Sequence, residues 1–100
     1  ISSSSITAYT AVPGDNLLID TYNAVVTITL PASPTIGDEV SIMDVSASGG
    51  FGSNKVTVNR NGSNIRGAAS NLELTTNNQS IKLRFTNATK GWQYVYNQTS

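Results

Sequence analysis

Residues 81–86 read Ile-Lys-Leu-Arg-Phe-Thr, and this short run decides the fold class. Ile81, Leu83 and Phe85 alternate with Lys82, Arg84 and Thr86, so an extended chain here has one apolar and one polar face. A helix would need its apolar residues three and four apart; a period of two brings them together only on a strand. Neighbouring segments repeat the pattern. Val26, Ile28 and Leu30 alternate with Thr27 and Thr29, Val40 and Ile42 with Glu39 and Ser41, and Val56 and Val58 with Lys55 and Thr57. Further strands are expected around Ile6–Thr10, Leu17–Asp20, Leu72–Thr75 and Trp92–Tyr96.

Turn formers separate these runs at fairly regular spacing: Pro13-Gly14, Asn23, Pro31 to Gly37, Gly49 to Gly52, Asn61-Gly62, Asn77-Asn78 and Lys90-Gly91. Asn61-Gly62 is the strongest signal, because a type I′ turn needs positive φ at both central residues. One buried face per strand and short connections predict an all-β antiparallel β-sandwich or jelly-roll-like domain of about eight short strands. Its core would hold Val26, Ile28, Leu30, Val40, Ile42, Val56, Val58, Ile81, Leu83 and Phe85. Residues 1–100 read as a single domain excised from a longer chain, with 1–5 a flexible lead-in and 97–100 a linker or frayed end.

The sequence contains neither cysteine nor histidine. Disulfides and thiolate chemistry are thereby excluded, and the usual general base and commonest metal ligand are missing. Uninterrupted apolar stretches such as Leu17–Ile19 fall far short of the ~20 residues of a membrane span. Ser, Thr and Asn make up about a third of the chain and only 12% is charged, with a net charge of zero. This balance argues against nucleic acid as a partner and against membrane insertion. The charges are nevertheless segregated. Residues 1–54 carry Asp15, Asp20, Asp38, Glu39 and Asp44 and no base, while 55–100 carry Lys55, Arg60, Arg66, Lys82, Arg84 and Lys90 and one acid, Glu73. Either strands of the two halves pair and mix these charges on one surface, or the halves meet across a subunit boundary.

The order of motifs from Leu17 to Tyr96 resembles a β-rich module of tail-fibre and other appendage proteins of tailed bacteriophages, of the marine-phage type. The resemblance rests on VVTITLPASPTIGDEVSIMD (25–44), NKVTVNRNGSNIRG (54–67), LELTTNNQSIKLRF (72–85) and GWQYVY (91–96). It implies a non-enzymatic virion structural module, part of a fibre, whisker or related appendage. Such a module works as a homotrimer, contacts other appendage proteins, and resides in the extracellular particle after assembly in the host cytoplasm. It implies no cofactor and no catalytic residue.

Trp92, Tyr94 and Tyr96 fall at alternate positions, so a regular strand would present three rings on one face. Such a row suits core packing, a subunit contact or stacking against a host-surface glycan, the last being the basis of an alternative carbohydrate- or receptor-binding reading. Lys82 and Arg84 share the opposite face of their own strand and, with Arg60 and Arg66, are candidates for an anionic patch or for solubility and edge protection. The acids of the first half read as solvated turn or edge residues, because no segment carries the dense Asp/Asn loop of a calcium site.

Overall fold

The computed structural model describes residues 1–99. Eight strands are present, each near an expected position: β1 (Ala8–Thr10), β2 (Asn16–Ile19), β3 (Val26–Thr29), β4 (Glu39–Asp44), β5 (Val56–Asn59), β6 (Leu72–Leu74), β7 (Ser80–Asn87) and β8 (Gly91–Gln98). They form two four-stranded sheets, ordered β1-β3-β5-β6 and β2-β4-β7-β8. No helix occurs among the described residues.

The sheets are mixed, which corrects the expectation of antiparallel pairing throughout. β1 pairs with β3, β3 with β5 and β2 with β4 in parallel; only β5–β6, β4–β7 and β7–β8 are antiparallel. The reason lies in the path of the chain. From β1 to β5 successive strands alternate between the two sheets, so each parallel pair is joined by a crossover that passes through the other sheet. Parallel neighbours need a crossover connection of a dozen or more residues, and here a strand of the opposite sheet serves as that crossover. The chain thus coils for its first half and closes with hairpins in its second.

Period-two alternation survives this difference, because each strand still has one face toward the core whatever the direction of its neighbours. Val26, Ile28, Leu30, Val40, Ile42, Val56, Val58, Ile81 and Leu83 are each 1% exposed or less, and Phe85 packs half-buried against them. Each such aliphatic side chain contributes about 1.5–3 kcal/mol on burial. Phe51, Ile65 and Trp92 complete the core from a loop, a turn and β8.

Backbone hydrogen bonds reach both ends of the described chain. The 1–5 segment is tied down, since Ser2 bridges Asp20 in parallel and the Ser3 amide donates to the Asp20 carbonyl at 2.8 Å. Ser3 itself is buried, and its hydroxyl donates to Asn23 Oδ1 at 2.9 Å. At the other end Asn97 and Gln98 still pair with Ile81 and Ser80, because the long β7 offers them a ladder. Ser100 lies outside the described residues.

Candidate functional site

The strand that carries the aromatic residues does not keep its alternation. Phe85 lies opposite Trp92 and Leu83 opposite Tyr94, but Lys82 lies opposite Tyr96. One step along β7 therefore matches two along β8, leaving Val95 as an extra residue in a β-bulge that inverts the facing of everything after it. The expected one-face stripe is thus split. Trp92 points into the core, fully buried, with its ring edge-on to Phe85 at 5.7 Å and 66°. Tyr94 packs half-buried against the core, whereas Tyr96 lies on the outer face beside Lys82. Among the described residues the Trp92 indole Nε1 finds no acceptor.

Lys82 and Arg84 do share the outer face of β7, but they form no free cationic patch. Glu39 stands opposite Arg84 across the β4–β7 ladder; its Oε2 accepts from Arg84 Nε at 2.7 Å, and Lys82 Nζ lies 3.3 Å from its Oε1. The Arg84 hydrogen bond, helped by Lys82, holds the Glu39 carboxyl below its ordinary range. Here the acidic and basic halves of the sequence meet within one sheet of one chain. On the other sheet Lys55 pairs with Glu73 at 2.8 Å.

Each remaining acid shapes a turn. Asp15 Oδ2 accepts from the Val12 amide and from the Tyr9 hydroxyl, both at 2.9 Å, and the hydrogen bond to Asp15 raises the Tyr9 phenol above its usual value. Asp20 accepts from the Tyr22 amide and Asp38 from the Thr35 amide, each at 2.9 Å. Asp44 gathers three loops, accepting from the amides of Ser46, Phe51 and Asn78 at 2.9, 3.1 and 3.0 Å. Burial acts to raise this carboxyl, but those amides and the Ser46 hydroxyl outweigh it, so it titrates below its usual value. Asp and Asn side chains favour such positions because they reach the amide two or three residues on.

Among the described residues, three cations have no carboxylate within ion-pair reach: Arg60, Arg66 and Lys90. They belong to one end of the molecule. Arg60 Nη1 donates to the Ser63 carbonyl at 3.2 Å, and the Lys90 side chain runs beside Gly67. Residues 64–67 lie against the start of β8: the Trp92 amide donates to Asn64 O, and the amides of Arg66 and Gly67 donate to Trp92 O and Lys90 O at 2.8 and 2.9 Å. Ile65 and Ala68 exchange two backbone hydrogen bonds of 3.0 Å around Arg66-Gly67, whose φ values of 54° and 81° are both positive. Asn61-Gly62, with φ of 48° and 88°, turns as its sequence predicts. Arginine in the same left-handed position costs about 1–2 kcal/mol.

The turn holds the Arg66 guanidinium 4.9 Å from the centre of the Tyr94 ring. Burial raises the Tyr94 phenol and the nearby guanidinium opposes that shift. Beside this pair an open groove of about 380 Å³ is lined by Ile65, Arg66, Ala68, Ser70, Asn71 and Leu72. Of the residues singled out from sequence, the structure brings Arg66 and Tyr94 together here with Arg60 beside the groove, sends Lys82, Arg84 and Tyr96 to the outer face of the β2-β4-β7-β8 sheet, and buries Trp92. Ile65, Ser70, Asn71 and Leu72 carried no signal beyond the Arg66-Gly67 dipeptide, a weak turn former. No family model matches the sequence, and no curated protein matches it.

Proposed function

We propose that the chain is a non-enzymatic structural module of a bacteriophage virion appendage, a β-sandwich that provides shape and subunit contacts as a homotrimer. The observation that carries this reading is the coil of β1 to β5, whose alternation between sheets leaves β1 paired on one side only. An unpaired edge of a coiled sheet suits end-to-end joining with a neighbouring segment, and the long dimension of 37 Å against 25 and 22 Å suits a shaft. The outer face of that sheet fits a subunit contact. It carries Thr10, Thr27, Thr29, Thr57 and Asn59, short uncharged groups that suit close packing around an axis, with Glu73 beside Thr57 ion-paired to Lys55. All six carboxylates serve turns or ion pairs, which leaves the acids committed to structure.

Light scattering tests the assembly. A mass near three times the 10.5 kDa of the chain, insensitive to moderate salt, is expected. A monomer at high concentration would remove the intrinsic trimer. Labelling of intact particles with antibody against the domain tests the location, and labelling confined to the capsid interior or absent from particles would overturn it. The alternative, a carbohydrate- or host-receptor-binding domain, is favoured by a single feature, the cation beside an aromatic ring at the Arg66 groove.

A further inference from the structure

We propose that the Arg66 groove binds an acidic saccharide, with the sugar carboxylate on the guanidinium of Arg66 and the ring lying against Ala68 and Leu72. This names the ligand class for the binding alternative and is independent of the structural role. Three observations carry it. First, the cations are partitioned: Lys55, Lys82 and Arg84 are ion-paired with Glu73 and Glu39, the last two sharing Glu39, while Arg60, Arg66 and Lys90 stand together without a carboxylate among the described residues. That end of a chain with zero net charge therefore faces solvent as a positive field, which attracts anions.

Second, Arg66 occupies a backbone conformation that asparagine or glycine would adopt with less strain, φ 54° at the first centre of a two-residue turn. A strained position held by a long cationic side chain points to a use for that side chain. Third, the guanidinium is already placed. It stacks on Tyr94 at 4.9 Å and donates no hydrogen bond to another protein group among the described residues, so its planar fork of donors is oriented and free. A carboxylate matches that fork with two parallel hydrogen bonds.

The rest of the groove selects the class of anion. Ala68, exposed, and Leu72, half-buried, supply apolar surface, and Ser70 and the amide nitrogen of Asn71 supply short polar groups with no protein partner among the described residues, the Asn71 Oδ1 being held by the Arg60 amide at 3.0 Å. A pyranose has an apolar face and a rim of hydroxyls, and one bearing a carboxylate satisfies all three kinds of contact. The volume of about 380 Å³ lies at the lower end of ligand sites, and the groove is open along one side, so the fit is to one or two residues of a chain.

The test is an NMR titration of the whole domain with trigalacturonate, with galactotriose as the uncharged ring control and pentaglutamate as the non-sugar anion. Trigalacturonate is expected to shift the amides of Ile65 to Leu72 saturably with a Kd of about millimolar, as befits an open groove with one charged contact. Arg66→Asn is the decisive variant, because it relieves the turn and should fold at least as well. It is expected to weaken binding at least about tenfold with the melting temperature unchanged or raised. Arg84→Gln, on the outer face of β7 where Arg84 pairs with Glu39, should bind as the parent does. Equal binding of galactotriose, stronger binding of pentaglutamate, equal loss in Arg66→Asn and Arg84→Gln, or no saturable shift at all would each overturn the proposal. Failure here leaves the trimer mass and particle labelling untouched, so the two readings fall separately.

Discussion

Gly91 lies directly against the backbone of Asn64: a β-carbon at Gly91 would stand 1.9 Å from the Asn64 carbonyl oxygen. That oxygen also accepts the Trp92 amide at 2.9 Å, and Gly91 has a φ of 68°. Gly91→Ala therefore meets a rigid backbone atom and a conformation unfavourable for alanine at once. The expected loss is at least about 3 kcal/mol, read by chemical denaturation with the single tryptophan as reporter. A variant within about 1 kcal/mol of the parent would show that residues 64–67 are not fixed on β8 as described.

Asp44 is where acid should act. Its folded carboxyl lies below its ordinary value, so the stability it contributes is full above the unfolded value of ~3.9 and is lost as pH falls through the lower folded value. Asp44→Asn should cost about 2 kcal/mol at neutral pH, since its amide nitrogen would face either the Ser46 amide or the amides of both Phe51 and Asn78. Its stability should also fall less steeply than the parent's below pH ~4. Parallel curves for the two proteins down to low pH would count against this role.

The bulge makes a deletion prediction that ordinary strands do not. Removing Val95 would leave Leu83 opposite Tyr94 and Lys82 opposite Tyr96, with every side chain on its present face. Removing Gln93 instead would turn Tyr94 outward opposite Arg84 and bring Val95 inward opposite Leu83, exchanging the half-buried ring and its contact with Arg66 for a smaller side chain. Deletion of Val95 should therefore cost no more than about 2 kcal/mol, while deletion of Gln93, which takes the Tyr94 ring off the core, should cost about 1–3 kcal/mol more. Thermal melts by circular dichroism decide it, and equal damage from both deletions would mean the register is not as described.

How far the fold could be read depended on what each residue reports. Alternation at Val26–Leu30 or Ile81–Phe85 reports which face is buried, and that information is local, so all eight strands and nine of the sixteen buried apolar residues were legible, while Ala11, Leu17, Ile19, Phe51, Ile65, Leu74 and Trp92 were not in the expected core. Strand order is not local. Nothing in Leu17–Ile19 states that its neighbour is Glu39–Asp44 in parallel rather than Val26–Thr29 in a hairpin, because the decision rests on loops that send the chain across to the other sheet. The aromatic stripe failed for a related reason: a bulge residue such as Val95 differs in no chemical way from a strand residue, yet it reverses Tyr96. The acids illustrate the opposite case. Asp15, Asp20, Asp38 and Asp44 sit beside turns in the sequence, and turn bonds are what they make, though the three loops that meet on Asp44 are visible only in space.

Trp92 offers a comparison between two truncations of one side chain. It is fully buried, packs edge-on against Phe85, and its indole Nε1 has no acceptor among the described residues. A buried donor without a partner costs about 1–3 kcal/mol, so Trp92→Phe removes an unfavourable group together with part of the ring. The lost volume acts the other way, through fewer contacts and a small cavity. These effects should nearly offset, leaving Trp92→Phe within about 1.5 kcal/mol of the parent, whereas Trp92→Ala loses the whole ring and should cost about 3–5 kcal/mol. Denaturation followed by far-ultraviolet circular dichroism gives both numbers, since neither variant keeps a tryptophan to report. A Trp92→Phe variant as damaged as Trp92→Ala would mean that the indole nitrogen contributes a favourable contact and that packing alone does not explain why tryptophan fills this place.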